Sequence, residues 1–470
     1  MSAHNAAGRL GTEPVGRLLL QFSVPAITGM VVNALYNVVD RIWVGRGVND
    51  TALGGLSLVM PLMTITLAFA MLFGIGAANL ISMRLGQGRR EEAENALNHC
   101  LILLVISGLV LMAVELAFLD PILARLGAEE GSRALDYARP YYRIILYGQV
   151  FVLVGFGFSH CTRAQGFPTI TMLSMLIGAG LNMILDPVFI FVFGWGVEGA
   201  AWATIISQLA SALWILSFSL SRRAVIRLRL RSFALSGRII LDIMSFGSSQ
   251  FLLQFVMSAV QLLFNMSLGW YGAAALGEGG GTLALSGLNI NMSIVMLILM
   301  PVFGINQGAQ PILGYNYGAK QFGRVRRAFL LAITGATGIC LLGFILTELF
   351  PGFLVRLFTP EGNPLMLDFS ARAMRIIMIA LPVNGFTIVA TNFFVVTGRP
   401  RTSIFLSMLR QFIALIPCLI IFGRIRGLWG VVAATPVADS FAFVCTGIMI
   451  LFELRKLKEA HAAQGGEGKG

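Results

Sequence analysis

Four polar side chains recur with helical spacing in the first long apolar stretch of the sequence. They are Asn33, Tyr36, Asn37 and Asp40, and positions i, i+3, i+4 and i+7 fall on one face of an α-helix. In a membrane such a polar stripe must face a cavity or other helices rather than lipid. We therefore predict that Asp40 binds a proton or a cation. The plainer alternative is that Asp40 pairs with Arg41 at the membrane surface.

A second acidic site is predicted by the run that ends at Pro187. Asn182 and Asp186 are four residues apart and share a helix face, and Pro187 has no N–H, which frees a carbonyl one turn earlier. Thr204, in the next apolar stretch, adds a hydroxyl. Oxygen groups of this kind suit a proton or a hard cation, so we predict that Asp40, Asn182, Asp186 and Thr204 couple transport to an ion. The alternative is polar contact between helices, about 0.6 kcal/mol each.

Two further ionisable residues lie deep in apolar stretches. Arg410 and Asp439 would each be costly alone in a membrane, so we predict a buried pair that is either structural or part of a gate. Glu115 and Glu348 lie nearer the ends of their stretches. We expect their carboxylates to reach the membrane surface.

The elements that must position these residues are long apolar segments. The chain has 470 residues, 57% hydrophobic and 12% charged, whereas a soluble domain is about 25% charged. Many segments exceed the roughly 20 apolar residues that a bilayer-spanning helix needs. We predict an all-α integral membrane protein with about twelve transmembrane helices.

The basic residues indicate the orientation of the chain. Arg and Lys concentrate in alternate loops and the acidic residues in the others, which is the positive-inside pattern. Both termini are then cytoplasmic. The net charge of +12 predicts contacts with anionic lipid head groups and not nucleic-acid binding, because the basic residues do not share one amphipathic face.

The two halves of the sequence repeat at a nearly constant separation. The matched groups are Phe73-Gly74-Ile75 with Phe303-Gly304-Ile305, Gly166 and Pro168 with Gly398 and Pro400, and Gly196, Gly199 and Thr204 with Gly427, Gly430 and Thr435. Two six-helix lobes follow, related by a pseudo-twofold axis along the membrane normal, an architecture typical of alternating-access transporters. The counterpart of Asp186 is Ile416, so the fold itself does not demand the acid.

The repeat also defines the domains. We predict a cytoplasmic segment 1–17, a first lobe 18–219, a basic cytoplasmic linker 220–238, a second lobe 239–452 and a cytoplasmic tail 453–470. Pro25, on the helix of Asp40, marks a predicted hinge. A polarizable, adaptable substrate cavity is predicted to include Gln250, Gln254, Met257, Gln307 and Gln310.

Several function classes are excluded. The chain has no Walker A motif, so ATP is not the predicted energy source. Its five cysteines are scattered and form no metal-binding spacing. The paired acids and His clusters of a membrane enzyme are missing too. We predict neither an enzyme nor a cofactor beyond a coupling ion.

The runs YNVVDRIWVG (36–45), GQG (86–88), GFP (166–168) and NMILDP (182–187) together resemble the multidrug and toxic compound extrusion (MATE) family. The resemblance covers nearly the whole chain and is closest to the prokaryotic MepA-like and DinF-like branch. It implies antiport of organic, often cationic or amphipathic, compounds against H+ or Na+ in a bacterial or archaeal cytoplasmic (inner) membrane, by a monomer.

The family's first-lobe cation site falls on Asp40, Asn182, Asp186 and Thr204, and its first-span proline on Pro25. The chain departs from the NorM-like branch, whose second lobe carries acidic ligands in the seventh and tenth spans. Gln250, Gln254 and Asn384 stand in those spans here, which argues against a second-lobe sodium site.

Two questions stay open at the level of the sequence. A lipid-linked precursor or metabolite exporter (a flippase) of the same architecture is an alternative function, although it would want a cavity rich in Arg or Lys. The choice between H+ and Na+ is also open, because Asp, Asn and Thr oxygens serve both.

Overall fold

The apolar segments fold into long helices. The computed structural model describes residues 3–48, 50–125, 133–229, 236–358 and 364–467. Within them, ten helices are long and apolar enough to cross a membrane, and two bent helix pairs raise the total to as many as twelve spans. The predicted all-α membrane fold is confirmed.

Among the described residues, the first half of the chain forms nine α-helices and one π-helical turn. These are α1 (Ala3–Thr12), α2 (Val15–Gly47), α3 (Asp50–Gly86), α4 (Arg90–Ala117), α5 (Leu119–Arg125), α6 (Arg133–Tyr147), α7 (Gln149–Ala164), α8 (Pro168–Pro187), the π-turn Val188–Val192 and α9 (Gly196–Leu220).

The second half follows the same order from its second span onward. Its elements are α10 (Gly237–Leu276), α11 (Gly280–Gly318), α12 (Phe322–Leu349), α13 (Pro351–Phe358), α14 (Pro364–Met378), α15 (Leu381–Val396), α16 (Pro400–Met408), the π-turn Leu409–Leu415, α17 (Ile416–Arg426) and α18 (Leu428–Glu467).

Glycine and proline set the same helix boundary in both halves. Gly166 and Gly398 have φ of 100° and 80°, a conformation that L side chains rarely adopt, and each ends a helix. Pro168 and Pro400 then open the next helix, where a missing N–H costs nothing. These four matched residues therefore position the starts of α8 and α16.

Two compact units emerge from the contacts. Unit 1 comprises Met1–Pro14, Val24–Gln254 and Gly314–Lys320. Unit 2 comprises Val15–Ser23, Phe255–Leu313 and Gln321–Gly470. Helices α2, α10 and α11 each contribute to both units, whereas the predicted lobes divide between whole spans; those lobe boundaries stay predictions.

Unit 1 is built on a close contact between α3 and α7. A side-chain carbon at Gly74 would lie 2.5 Å from the Cα atom of Gly157, so the two backbones touch. Phe158, Leu97 and Leu104 are fully buried beside this contact. The close approach leaves little freedom in how α7 is placed against α3.

Unit 2 uses the same device between α12 and α15. A side-chain carbon at Gly385 would lie 2.7 Å from the carbonyl oxygen of Ala336. The rings of Phe329 and Phe393 pack beside it with centroids 4.5 Å apart. In each unit, one pair of helices is thus held in close contact through small residues, as is common in membrane helix packing.

Candidate coupling site

The carboxyl end of α8 carries the most deeply buried acid of unit 1. Asp186 is 0% exposed and Asn182, one turn earlier, is 1% exposed. Neither carboxylate oxygen of Asp186 meets hydrogen-bond geometry with any described residue, and neither does Oδ1 of Asn182. After Pro187 the backbone passes into the π-turn, a local form often found at functional sites.

Helix α9 adds the hydroxyl of Thr204. The side-chain amide of Asn182 donates to Thr204 Oγ1 at 3.4 Å, and Thr204 Oγ1 donates to the carbonyl of Ala200 at 3.0 Å. Tyr36 of α2 lies within hydrogen-bonding reach of Thr204. Three spans therefore contribute polar groups to one place inside unit 1.

The two acids of unit 1 interact, although they are far apart in the chain. The charges of Asp40 and Asp186 act on each other, and Asp40 is half-buried on α2. Two carboxylates in one site repel when both are ionised. Binding a proton or a cation between them relieves that repulsion, which is the chemistry that a coupling site needs. The side chain of Arg41, the alternative partner, lies outside the described part of the chain.

Tyr141 is a residue of this site that the sequence analysis missed. It lies on α6 and is 6% exposed. Its hydroxyl interacts electrostatically with Asp40, Tyr36 and Asp186. The only sequence signal was a pair of adjacent tyrosines at an apolar segment's start. Its contacts come from other spans, which the local pattern does not show.

The remaining predicted residues of α2 are Asn33, Asn37 and Pro25. Asn33 is exposed, and the side chain of Asn37 lies outside the described residues. Pro25 lies within α2, which continues through it from Val15 to Gly47. Its role as a hinge stays a prediction.

Unit 2 contains a buried ion pair where unit 1 contains the two acids. Arg410 Nε donates to Asp439 Oδ1 at 2.6 Å, and the side-chain amide of Asn384 donates to Asp439 Oδ2 at 3.0 Å. Asp439 is 4% exposed. Arg410 lies in the π-turn before α17. The buried carboxylate of Asp439 is thus already neutralised by Arg410.

The predicted cavity residues are divided between the units. Gln250 and Gln254 belong to unit 1, and Met257, Gln307 and Gln310 belong to unit 2. A substrate cavity that they share stays a prediction.

The expectation for Glu115 was wrong. Glu115 does not reach the membrane surface but is 5% exposed, and it accepts a hydrogen bond from Tyr142 at 2.8 Å. Its position near the end of α4 allowed either direction. Buried hydrogen-bond donors on α6 and α7 decided it.

The chain is similar to known proteins along most of its length. The MatE family model matches residues 25–188 and 250–420. The multidrug export protein MepA of Staphylococcus aureus strain MSSA476 is 27% identical over 443 residues, 94% of this chain and 95% of that protein. MepA of Staphylococcus haemolyticus is 24% identical over 441 residues, 93% of this chain and 94% of that protein.

Solved structures agree with this. An outward-facing multidrug resistance MATE family transporter superposes with a TM-score of 0.87 at 27% identity, over 96% of this chain and 98% of that one. A MATE structure in the bent conformation gives 0.88 at 27% identity, over 97% and 99% of the two chains. Sequence and fold match along almost the full length, and the chain therefore belongs to the MatE family, whose members are transporters and not enzymes.

Proposed function

We propose that this chain is an ion-coupled exporter of small organic compounds. An inward flow of H+ or Na+ through Asp40 and Asp186 drives the compound outward. One observation carries the proposal: two acids from different spans interact inside unit 1, next to the oxygens of Asn182 and Thr204. At the matching place in the second half, Ile416 replaces Asp186.

The oxygens of Asp186 and Asn182 are the groups that we propose bind the ion. Both carboxylate oxygens of Asp186 and Oδ1 of Asn182 have no hydrogen-bond partner among the described residues, and Thr204 Oγ1 lies 3.4 Å from the Asn182 amide. Oxygen groups held this way suit a hard cation and equally a proton. No group of three or more His, Cys, Asp or Glu side chains in the described chain is arranged to hold a metal. The coupling ion is transported and is not a resident cofactor, and no further cofactor enters the proposal.

Coupling requires that ion and compound compete for the protein. In the outward state the two acids take up the ion, which favours release of the compound. In the inward state they give the ion to the cytoplasm, which allows the next compound to bind. A bend of α2 at Pro25 is one route for this competition, since ion occupancy at Asp40 then shifts an equilibrium between two helix shapes.

The substrate class rests on the relatives, which are multidrug export proteins. We propose cationic or amphipathic organic compounds as the cargo and Gln250, Gln254, Met257, Gln307 and Gln310 as cavity residues. The exporter is proposed to work as a monomer in a bacterial or archaeal cytoplasmic membrane, with both termini inside.

The lipid-precursor alternative requires free basic groups for a pyrophosphate. Arg410 is not free, because Asp439 pairs with it. Arg163, a buried basic residue that the sequence analysis did not count, is 2% exposed and has no ion pair with a described residue. A single guanidinium is little for such a ligand, so the alternative is kept as an outcome of the experiment.

The test is efflux of a fluorescent organic cation from proteoliposomes under a pH gradient or a Na+ gradient. We expect one gradient to drive efflux in the wild-type protein, and Asp40→Asn and Asp186→Asn each to abolish it while the protein stays folded. Full activity in either variant contradicts the proposed site. Absence of efflux under both gradients from a folded wild-type sample contradicts the drug-export proposal and favours the lipid precursor.

A further inference from the structure

A second buried carboxylate of unit 1 lies at the bend between α6 and α7, where the fourth span turns by 55°. Tyr142, on one side of the bend, donates to Oε2 of Glu115 at 2.8 Å. Gln149, the first residue on the other side, donates to the same oxygen at 3.1 Å. The amide nitrogen of Gln149 also donates to Thr66 Oγ1 of α3 at 2.7 Å. One carboxylate therefore joins both arms of the bend.

The second half forms the same bend without a carboxylate. Its arms, α14 and α15, meet at 49°, and the helices concerned have equal lengths in both halves, which fixes the alignment. The counterparts of Glu115, Tyr142 and Gln149 are Thr347, Ala373 and Leu381, all 2% exposed or less. Thr347 donates to a carbonyl of its own helix, that of Gly343, at 2.9 Å. The bend does not need the acid.

No positively charged side chain among the described residues pairs with Glu115. Tyr142 and Gln149 are the neighbours whose hydrogen bonds act on its carboxylate. Packed against α4, helix α3 has no ionisable residue between Asp50 and Arg84.

Among the described side chains, the charged ones of α5 and α6 are paired or exposed. Asp120 of α5 and Arg139 of α6 pair with each other at 2.8 Å. Asp136 and Arg143 of α6 are exposed. The ionisable residues of α7, which are His160, Cys161 and Arg163, lie about three turns or more beyond Gln149. Among the described residues, the titratable group in contact with Glu115 is the hydroxyl of Tyr142.

A glutamine at this position would accept the same two hydrogen bonds at lower cost in a membrane. What a glutamate adds is the ability to bind and release a proton. We propose that Glu115 is a second proton-binding group of unit 1, distinct from Asp40 and Asp186, and that its occupancy acts on the bend of the fourth span. The proposal rests on the ion-coupled function above and deepens it.

The contacts show how the bend responds to the proton. A protonated Glu115 has an O–H that needs an acceptor, and Gln149 Oε1 has no partner among the described residues. Turning the amide of Gln149 presents Oε1 to that O–H, since an amide carries both an acceptor and a donor. The same turn withdraws Nε2 from Thr66. On the other arm, Tyr142 follows Tyr141, which lies near Asp40 and Asp186. Helix α6 therefore contributes a tyrosine to each of the two proton sites.

The test that needs no transport is infrared difference spectroscopy of the full-length protein between high and low pH. We expect a protonated-carboxyl band that is present in the wild type and missing in Glu115→Gln. Glu348→Gln, the acid beside Thr347 in the second half, is the matched control and keeps the band. Identical bands in the wild type and Glu115→Gln overturn the proposal. Should Glu115→Gln not fold, Glu115→Asp keeps the titratable group, and its band must shift and not vanish.

A transport measurement separates this proposal from the proposed function. In proteoliposomes we expect Glu115→Gln to move about one proton fewer per substrate than the wild type and to retain binding of the organic cation. If the wild type shows no ion-driven efflux but the infrared band is lost in Glu115→Gln, the export proposal fails and the proton site stands. Efflux with an unchanged proton count and unchanged bands overturns the proton site alone.

Discussion

The fifth span of the first half and its counterpart in the second half share a backbone plan and differ in charge. Both begin at a proline after a glycine of positive φ, and both contain a π-turn, which follows Pro187 in the first half and precedes Pro417 in the second. In unit 1, Asp186 is fully buried and its oxygens have no hydrogen-bond partner among the described residues. In unit 2, Arg410 of the corresponding span is bound to Asp439.

This difference separates what holds the fold from what performs the coupling. A paired buried charge is satisfied within the protein, and removing one partner leaves the other exposed to a low dielectric. Two like charges in one site repel each other, and binding an ion between them relieves that repulsion. We therefore expect changes in unit 2 to act on stability and changes in unit 1 to act on transport.

The largest expected effect is at the acid of unit 1. Asp186→Asn removes the ion-binding charge and keeps the shape, so we expect gradient-driven efflux to fall to the background of empty proteoliposomes. Stability in detergent should not fall, because the amide keeps the shape of the carboxylate and removes its repulsion with Asp40. Thermal unfolding by intrinsic fluorescence checks the second point. A folded Asp186→Asn variant with wild-type efflux would contradict the assignment of ion coupling to unit 1.

Breaking the pair of unit 2 is expected to have the reverse outcome. Arg410→Met leaves Asp439 buried without its cation, which costs on the order of 3–5 kcal/mol for a fully buried pair, and somewhat less here because the Arg410 side chain is 33% exposed. The double variant Arg410→Met with Asp439→Leu should recover most of the lost stability. Thermal unfolding of the single and double variants measures this. A single variant that is stable but loses efflux would assign the pair to a gate.

Tyr141→Phe sharpens the comparison within unit 1. The change removes one hydroxyl beside Asp40 and Asp186 and keeps the ring. The loss of a polar group that contributes about 1 kcal/mol to ion binding corresponds to an efflux rate roughly fivefold lower at a given gradient, with a shifted dependence on ion concentration. Ion-concentration curves provide the measurement, and Tyr147→Phe, an exposed tyrosine of the same helix, is the control. Equal curves for all three proteins would remove Tyr141 from the site.

The smallest effect is expected at Thr204. Its hydroxyl already donates to the carbonyl of Ala200, so only its lone pairs are offered to an ion. Thr204→Val should weaken ion dependence by a factor of about two to five, and Thr204→Ser should restore it. A larger loss in Thr204→Ser than in Thr204→Val would contradict a role for the hydroxyl.

Some parts of the candidate site could be predicted from local spacing and others could not. Asn182 and Asp186 share a helix face because they are four residues apart, and the structure keeps them together. Tyr141 was missed because its partners lie on other spans. Glu115 was misplaced because a carboxylate near a helix end can turn outward to the interface or inward to donors, and the helix sequence alone does not distinguish these directions.

The sequence by itself determined the membrane class, the helical fold, the internal repeat and the family. Long apolar segments must form hydrogen-bonded helices in a bilayer, and matched glycines and prolines set their boundaries. Only the tertiary structure decided that Asp40 and Asp186 interact, that Arg410 binds Asp439, and that Glu115 is buried at a bend. These contacts join residues of different spans, and their geometry depends on how each helix is rotated and bent by its neighbours, which hydropathy along one segment does not encode.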